Sequence, residues 1–422
     1  MMGTRPLAIG VFSALLWQAS ASHLCAQAPP RYDATKDRLA GLTTRELEGL
    51  APQLEHGPVA LIEFADTEGD QLPGVHVAAL VHAPAARLAA LVESPNGYAR
   101  FTRTIDEVSG WHREGKAQVY DWAWQVGLFR LTGRNAMTSF PPPASHPETG
   151  WRFSIDSQGG DFGTGRIVIR VLPKHGSPQE SLLLVSLRLD LRQSNYIARQ
   201  IARAARSVNR SANMALAYTM LLSFRREAER ETGYAEPIAS GPSVLQRPEV
   251  ELRRLVPLLL RGDVLMMEMP GDELRQIAVF ALIQRNRAEV RAIMLDANAF
   301  GSALVPGSGA HVVSRAGPVT TFDWSIDLPL VGASGRMQMR DDDPVVAIQA
   351  TEGALLGGQW RFEARALAKE ATMVSGWASF DLTRSTWLLK ALAEADPYLG
   401  HGMTAASEVM LVRALRSRSN EK

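Results

Sequence analysis

Three sets of residues have types and spacings that could do chemistry. His76, His82 and His112 carry imidazoles that titrate near neutral pH and suit acid–base work. His76 and His82 lie six positions apart on one apolar run, so a strand would aim both at the same face. Asp341-Asp342-Asp343 gathers hard oxygen donors of the kind that bind a divalent cation. It precedes Pro344 between two strand-like runs, and a solvated hairpin turn is the plainer reading. Asp121-Trp122 and Asp323-Trp324 set a carboxylate beside an aromatic ring. The pair suits an acid at a cavity wall next to a ring that stacks on a ligand. It also suits an Asp that hydrogen-bonds a nearby turn and a Trp that fills a core.

An internal comparison weighs these sets. Residues 75–134 align on 277–336 at a shift of 202, without a gap over 60 positions. Thirteen of the 60 are identical, against about four by chance at average residue frequencies. A period this long means two whole domains of one fold, because solenoid repeats run to about 20–50 residues. Asp-Trp recurs in both copies, as do Gly133-Arg134 and Gly335-Arg336. An arginine there would form a salt bridge or reach a ligand carboxylate. The histidines do not recur: Ala278, Gln284 and Ser314 stand in their places. They are therefore dispensable to the fold, and are either surface residues or site residues of the first copy alone.

No G-x-S-x-G, phosphate-binding G-x4-G-K-[ST], H-E-x-x-H or C-x-x-C occurs. Neither a metal nor a cofactor is expected. Formal net charge is +1, from 45 basic and 44 acidic residues, which argues against a nucleic-acid partner. Cys25 is the only cysteine, so each domain must be held by its core. Arg5, the apolar run Leu7–Trp17 and Ala19-Ser20-Ala21 follow the plan of a secretory signal peptide. The run of eleven is short of the ~20 residues that span a bilayer. The expectation is an exported chain, periplasmic or secreted, with no membrane span once the signal is removed. A transient contact with a membrane surface stays open.

The elements that must position the candidate residues follow one order in each copy. Val75–Val81 and Ile277–Ile283 read as strands, followed by short helices over APAARLAALVES and RNRAEVRAIMLD. Second short helices at PNGYARF and ANAFGSALVP lead into runs of strands, and long helical stretches close both copies. The bounds are a signal peptide over 1–28, a linker over 29–44, a first domain over 45–232, a Gly/Pro/Ser-rich linker over 233–249 and a second domain over 250–418. The class is α+β, a curved antiparallel sheet around a long C-terminal helix, twice over, with a cavity between sheet and helix.

HAPAARLAALVESPNGYARF and QRNRAEVRAIMLDANAFGSALVP resemble the opening of the START-like superfamily, also called SRPBCC, whose members have a helix-grip fold. DWSIDLPLVGASGRMQMR resembles its W-x3-LP element, and DWAWQVGLFRLTGR does so without the proline, at Gly127. EGALLGGQWRFEA and GGDFGTGRIVIRV resemble its glycine-rich step into a strand. The resemblance implies two tandem helix-grip domains that bind or transport a hydrophobic small molecule, such as a lipid, isoprenoid or polyketide. The residues that would line such a site are Tyr98, Trp122, Trp124, Arg134, Phe300, Trp324, Arg336 and Trp360, within a wider aromatic set of Phe101, Trp151 and Trp377. One alternative is a cyclase or dehydratase on a polyketide-like substrate, with His76 or Asp121 as acid–base group. Another is an interaction module with filled cores.

Overall fold

The structure, a computed structural model, describes residues 39, 41–64, 74–103, 105–126, 129–194, 199, 206–230, 232–234, 252–269, 274–298, 308–326, 332–384, 390–391, 393–394 and 396–420. The signal segment, Cys25, Phe300, most of the first linker and the second linker past Tyr234 lie outside them.

The first copy runs α1 (Thr44–Leu54), β1 (Val59–Glu63), β2 (Val75–Val81), α2 (Ala85–Glu93), α3 (Tyr98–Phe101), β3 (Glu107–Glu114), β4 (Ala117–Val126), β5 (Phe129–Phe140), β6 (Trp151–Gly160), β7 (Thr164–Lys174), β8 (Ser177–Asp190) and α4 (Arg206–Arg230). The second runs α5 (Val256–Leu259), β9 (Gly262–Glu268), β10 (Gln276–Ile283), α6 (Arg287–Met294), β11 (Ser308–Ala316), β12 (Val319–Ile326), β13 (Ala333–Asp342), β14 (Val345–Gly353), β15 (Gln359–Ala368), β16 (Ala371–Ser379) and α7 (Pro397–Asn420). Each copy is a helix-grip unit with its strands in the order 1-2-8-7-6-5-4-3, all antiparallel, or its counterpart 9-10-16-15-14-13-12-11.

Strand registers extend the repeat past the ungapped stretch. Eleven residues, 141–151, bridge the paired Phe140 and Arg152, but only 343–344 bridge Asp342 and Val345. The counterpart spacing therefore falls from 202 to 193 (Ile155 and Ile348, opposite Met137 and Met339). By β8 and β16 it is 191 (Leu187 and Ala378, opposite Val75 and Ile277). A surface turn can shorten without disturbing strand register, so the pairing persists while sequence spacing drifts.

The two sheets are joined. β1 pairs with β9, giving one sheet of 16 strands. Ala60 faces Leu265, its own counterpart, and Val59 faces Met266 as Leu61 faces Val264. That register places a local two-fold axis at Ala60/Leu265. The long helices obey the same axis. Ser211 donates its hydroxyl to the Ala406 carbonyl at 3.4 Å. Gly402 sits against the Ala215 backbone, where an added Cβ would come within 2.8 Å of Cα. Ser211 and Gly402 are counterparts, as are Ala215 and Ala406, so small residues meet in both directions.

The sequence suggests an apolar stripe on the first long helix through Ile197, Ile201, Ala205, Val208, Ala212, Ala215, Leu216, Met220 and Leu222, of which Ile197, Ile201 and Ala205 lie outside the described residues. Ala215 and Leu222 are buried, and Leu216 and Met220 pack partly buried against the core. Met214, Ala217, Tyr218, Leu221, Phe224 and Ala228 are buried as well. α4 lies between its sheet and α7, so its buried surface is broad. Asp396-Pro397, which interrupts the helical pattern of the sequence, is the start of α7. The Asp396 carboxylate accepts from Tyr398 N at 2.9 Å, and Pro397 takes the first helical position, where no donor is needed.

The other face of the sheet centre is covered as well. Leu47, Leu50 and Leu54 of α1, with Leu252, Leu255 and Leu259, pack on Leu61, Ala78, Val264, Met266 and Phe280. This is a further stretch of the repeat: L-x-x-L-x-P-x-L occurs at 47–54 and at 252–259.

Candidate functional site

On β4, Tyr120, Trp122 and Trp124 point toward α4, and Asp121 points the other way. Together with Tyr98, Phe162 and Phe224 they line an apolar cavity of about 90 Å³ in the first grip. Its polar groups are nearly all satisfied within the wall. Tyr98 Oη donates to the Val92 carbonyl, and Asn135 Nδ2 donates to Tyr120 Oη at 3.3 Å. Thr102 and Ser157 donate to backbone carbonyls at 2.8 and 2.9 Å. Burial pushes the Tyr120 hydroxyl up to about 12 and the Tyr98 hydroxyl well above its ordinary value, so both stay protonated. Trp124 Nε1 is the exception: a buried donor without an acceptor among the described residues.

Two devices place this wall. The Asn209 and Asn213 amides accept from Leu191 N and Leu189 N at 2.9 and 2.8 Å, fastening α4 to the end of β8. Trp122 lies over Gly133, directly across the strand pair, where a Cβ would collide with its ring. Trp324 sits opposite Gly335 in the same way.

The Asp-Trp and Gly-Arg pairs thus form one unit. Asp121 faces Arg134 across β4 and β5, with bonds of 2.6 and 2.9 Å to its guanidinium. Asp323 and Arg336 repeat the bond at 2.7 and 3.3 Å. Each guanidinium holds its carboxyl below the ordinary range. Arg134 and Arg336 therefore ride with Asp121 and Asp323 on the side away from the cavity, while the tryptophans fill the inside.

His76 is also turned away from the cavity. Its Nδ1 lies 2.8 Å from Ser186 Oγ and its Nε2 3.3 Å from Glu63. Glu63 also meets Arg261, which bonds Glu46 at the N-terminus of α1. This network fastens α1 to the outer face of the sheet. His82 contacts Glu180 at 2.9 Å and stacks on Tyr234, and His112 is exposed beside Glu114. The acidic turn is neutralised locally: Asp341 pairs with Arg291, Asp343 with Arg287 and Arg291, and Asp342 with Arg340. Trp377 lies on the outer face, bonded to Gln276 at 2.8 Å.

The second grip is built differently inside. Trp360 replaces Ile167 and stacks on Phe380. Glu408 replaces Ala217 on the long helix and is fully buried. Neither of its oxygens has a hydrogen-bond partner of normal geometry among the described residues, and neither does Trp324 Nε1 or Trp360 Nε1. Burial pushes the Glu408 carboxyl up to about 8, and the nearby Trp360 indole offsets only part of that. Nothing in a single copy marks Glu408. The signal is the comparison with Ala217, which needs the spacing of 191.

No protein-family model matches the chain, and no curated protein does. Among solved structures the chain is similar to the di-domain ARO/CYC protein StfQ from the steffimycin biosynthetic pathway, at 11% identity and TM-score 0.28, over 82% of this chain and 98% of that one. It is similar to a STAR-related lipid transfer protein from Xanthomonas axonopodis at 14% identity and TM-score 0.27, over 38% and 94%. It is also similar to human STARD10 at 11% identity and TM-score 0.30, over 42% and 73%.

Proposed function

We propose that the first grip binds an apolar small molecule, lipid-, isoprenoid- or polyketide-like, or the apolar part of one. The observation that carries this is the cavity itself. Its wall is apolar, most of its polar groups bond within the wall, and the buried donor Trp124 Nε1, without an acceptor among the described residues, is left for a ligand acceptor. At about 90 Å³ the cavity is well below the ~300 Å³ of drug-sized pockets. A ring or a short chain fits this space, and the remainder of a larger ligand would extend outward.

Native mass spectrometry after incubation with a lipid panel tests the reading; a ligand-free spectrum across the panel would sink it. The same small volume favours a second reading, an interaction module with filled cores, which that null spectrum would support. Among the described residues no helix is long and apolar enough to cross a membrane. Export is part of the proposal, on the strength of Arg5, Leu7–Trp17 and Ala19-Ser20-Ala21. Fractionation of cells expressing the full chain tests it, and recovery only in the cytoplasm as uncleaved protein would refute it.

A further inference from the structure

The apolar cavity of the first grip adjoins an open cleft of about 930 Å³. Thr102 and Ile105 line both spaces. Arg100 and Arg103 stand on one side of the cleft, Arg226 and Arg230 of α4 on another, and Tyr398 of α7 closes it from the second copy. Asp106 and Glu227 are the acidic residues of the lining, against four guanidinium groups. Glu227 is held by Arg230 at 2.9 Å, and Asp106 accepts from Gln125 N. Arg100 and Arg103 are exposed, and the buried Asp396 carboxylate lies within the field of Arg103 and Arg226.

The repeat shows that this charge is not part of the fold. The counterparts of the four arginines are Ser302, Val305, Ser417 and Glu421. The sequence of the second copy carries none of them, so their convergence around one mouth calls for a reason other than the shared fold. Guanidinium groups arranged as forks match phosphate and carboxylate oxygens, and their field concentrates anions in a cleft.

We propose that this cleft takes the anionic group, a phosphate or carboxylate, of an amphiphile whose apolar part enters the first grip. The proposal rests on the reading of that cavity as a ligand site. It also accounts for the small cavity: the polar half of the ligand stays outside, in the larger space.

Isothermal titration of the full chain with octyl phosphate, octan-1-ol and inorganic phosphate tests it. Octyl phosphate is expected to bind at least about tenfold more tightly than either other probe, with an affinity that falls as salt rises. Arg100→Ser with Arg226→Ser, the residues of the second copy, should remove most of that advantage and leave octan-1-ol binding unchanged. Arg103→Glu, a single exposed change, repeats the test independently of how the double variant folds. Equal affinity for octyl phosphate and octan-1-ol in the unaltered chain would overturn the proposal and leave the cavity reading standing. Inorganic phosphate binding as tightly as octyl phosphate would overturn it in favour of a free-anion site. Variants that keep full octyl phosphate affinity would also overturn it, and binding of no probe at all would remove both readings together.

Discussion

The first grip places Ile167 and Ala217 where the second places Trp360 and Glu408. Around these positions the two copies agree closely. Both lay a tryptophan over a cross-strand glycine, both back it with an Asp–Arg pair, and both bulge the next strand just past that arginine, at Gln158 of β6 or Thr351 of β14. The first interior is an apolar cavity whose Trp124 Nε1 donor has no acceptor among the described residues. The second holds a buried carboxyl group beside the Trp360 indole, and among the described residues neither it nor the Trp324 and Trp360 indoles have a hydrogen-bond partner of normal geometry. Strand pairing and the close approach of the helices hold the architecture. They leave the interior free to diverge, and the two copies have used that freedom in opposite directions.

The largest effect that would break this contrast is on stability against pH. Burial pushes the Glu408 carboxyl up to about 8 in the folded chain, from 4.5 for an exposed carboxyl. Between those values the folded state keeps a proton that the unfolded state has released, so raising the pH favours unfolding. The window of 3.5 pH units, at about 1.4 kcal/mol each, sets a ceiling of about 5 kcal/mol. Asp396, also pushed up by burial, acts in the same direction. Urea unfolding at pH 5, 7 and 9 should show stability falling, and Glu408→Gln should flatten the slope. A slope that the variant leaves unchanged would contradict the placement of Glu408.

Gly402→Val tests the seam that both grips share. The new side chain meets the Ala215 backbone and should cost about 1–3 kcal/mol, read as a lower denaturation midpoint. A variant as stable as the parent would mean that α4 and α7 do not meet there. Trp124→Ile gives the first grip the residue of the second, Ile326. It should weaken uptake of an apolar ligand with an acceptor group several-fold by titration, and unchanged affinity would show that the free indole donor is not used. The smallest effect is expected at Asp121→Asn and Asp323→Asn. These exposed pairs are solvent-screened, so melting temperature and ligand uptake should scarcely move in either copy. A loss of uptake confined to Asp121→Asn would restore an active role for that carboxylate.

Much of the architecture was legible in the chain. The stretch from Val75 to Arg336 reads as a repeat because its strand and helix lengths match without gaps. The helical stretch before it was harder. L-x-x-L-x-P-x-L at 47–54 and 252–259 lies at a shift of 205, three residues off, because the hairpins that follow differ in length. The candidate site was read in part. Tyr98, Trp122 and Trp124 converge on the cavity, whereas His76 and Asp121 do not. Alternation along a strand tells which residues share a face, but not which face meets the helix. For His76 the outer face is itself buried under α1, so apolar neighbours on the strand gave no sign of the difference.

Residue types and spacing alone determined the duplication, the α+β order of elements, the positions that both copies must keep and the features private to one. Tertiary structure alone decided that β1 and β9 join the copies into one sheet, since open strand edges pair according to geometry that no local pattern records. It also decided that Arg134 and Arg336 serve Asp121 and Asp323 rather than the cavity, because register across two strands sets which side chains meet. Finally, it brought Arg100, Arg103, Arg226 and Arg230 together at one mouth. Those arginines are more than 120 residues apart at the extremes, and the packing of α3 beside α4 is what makes them neighbours.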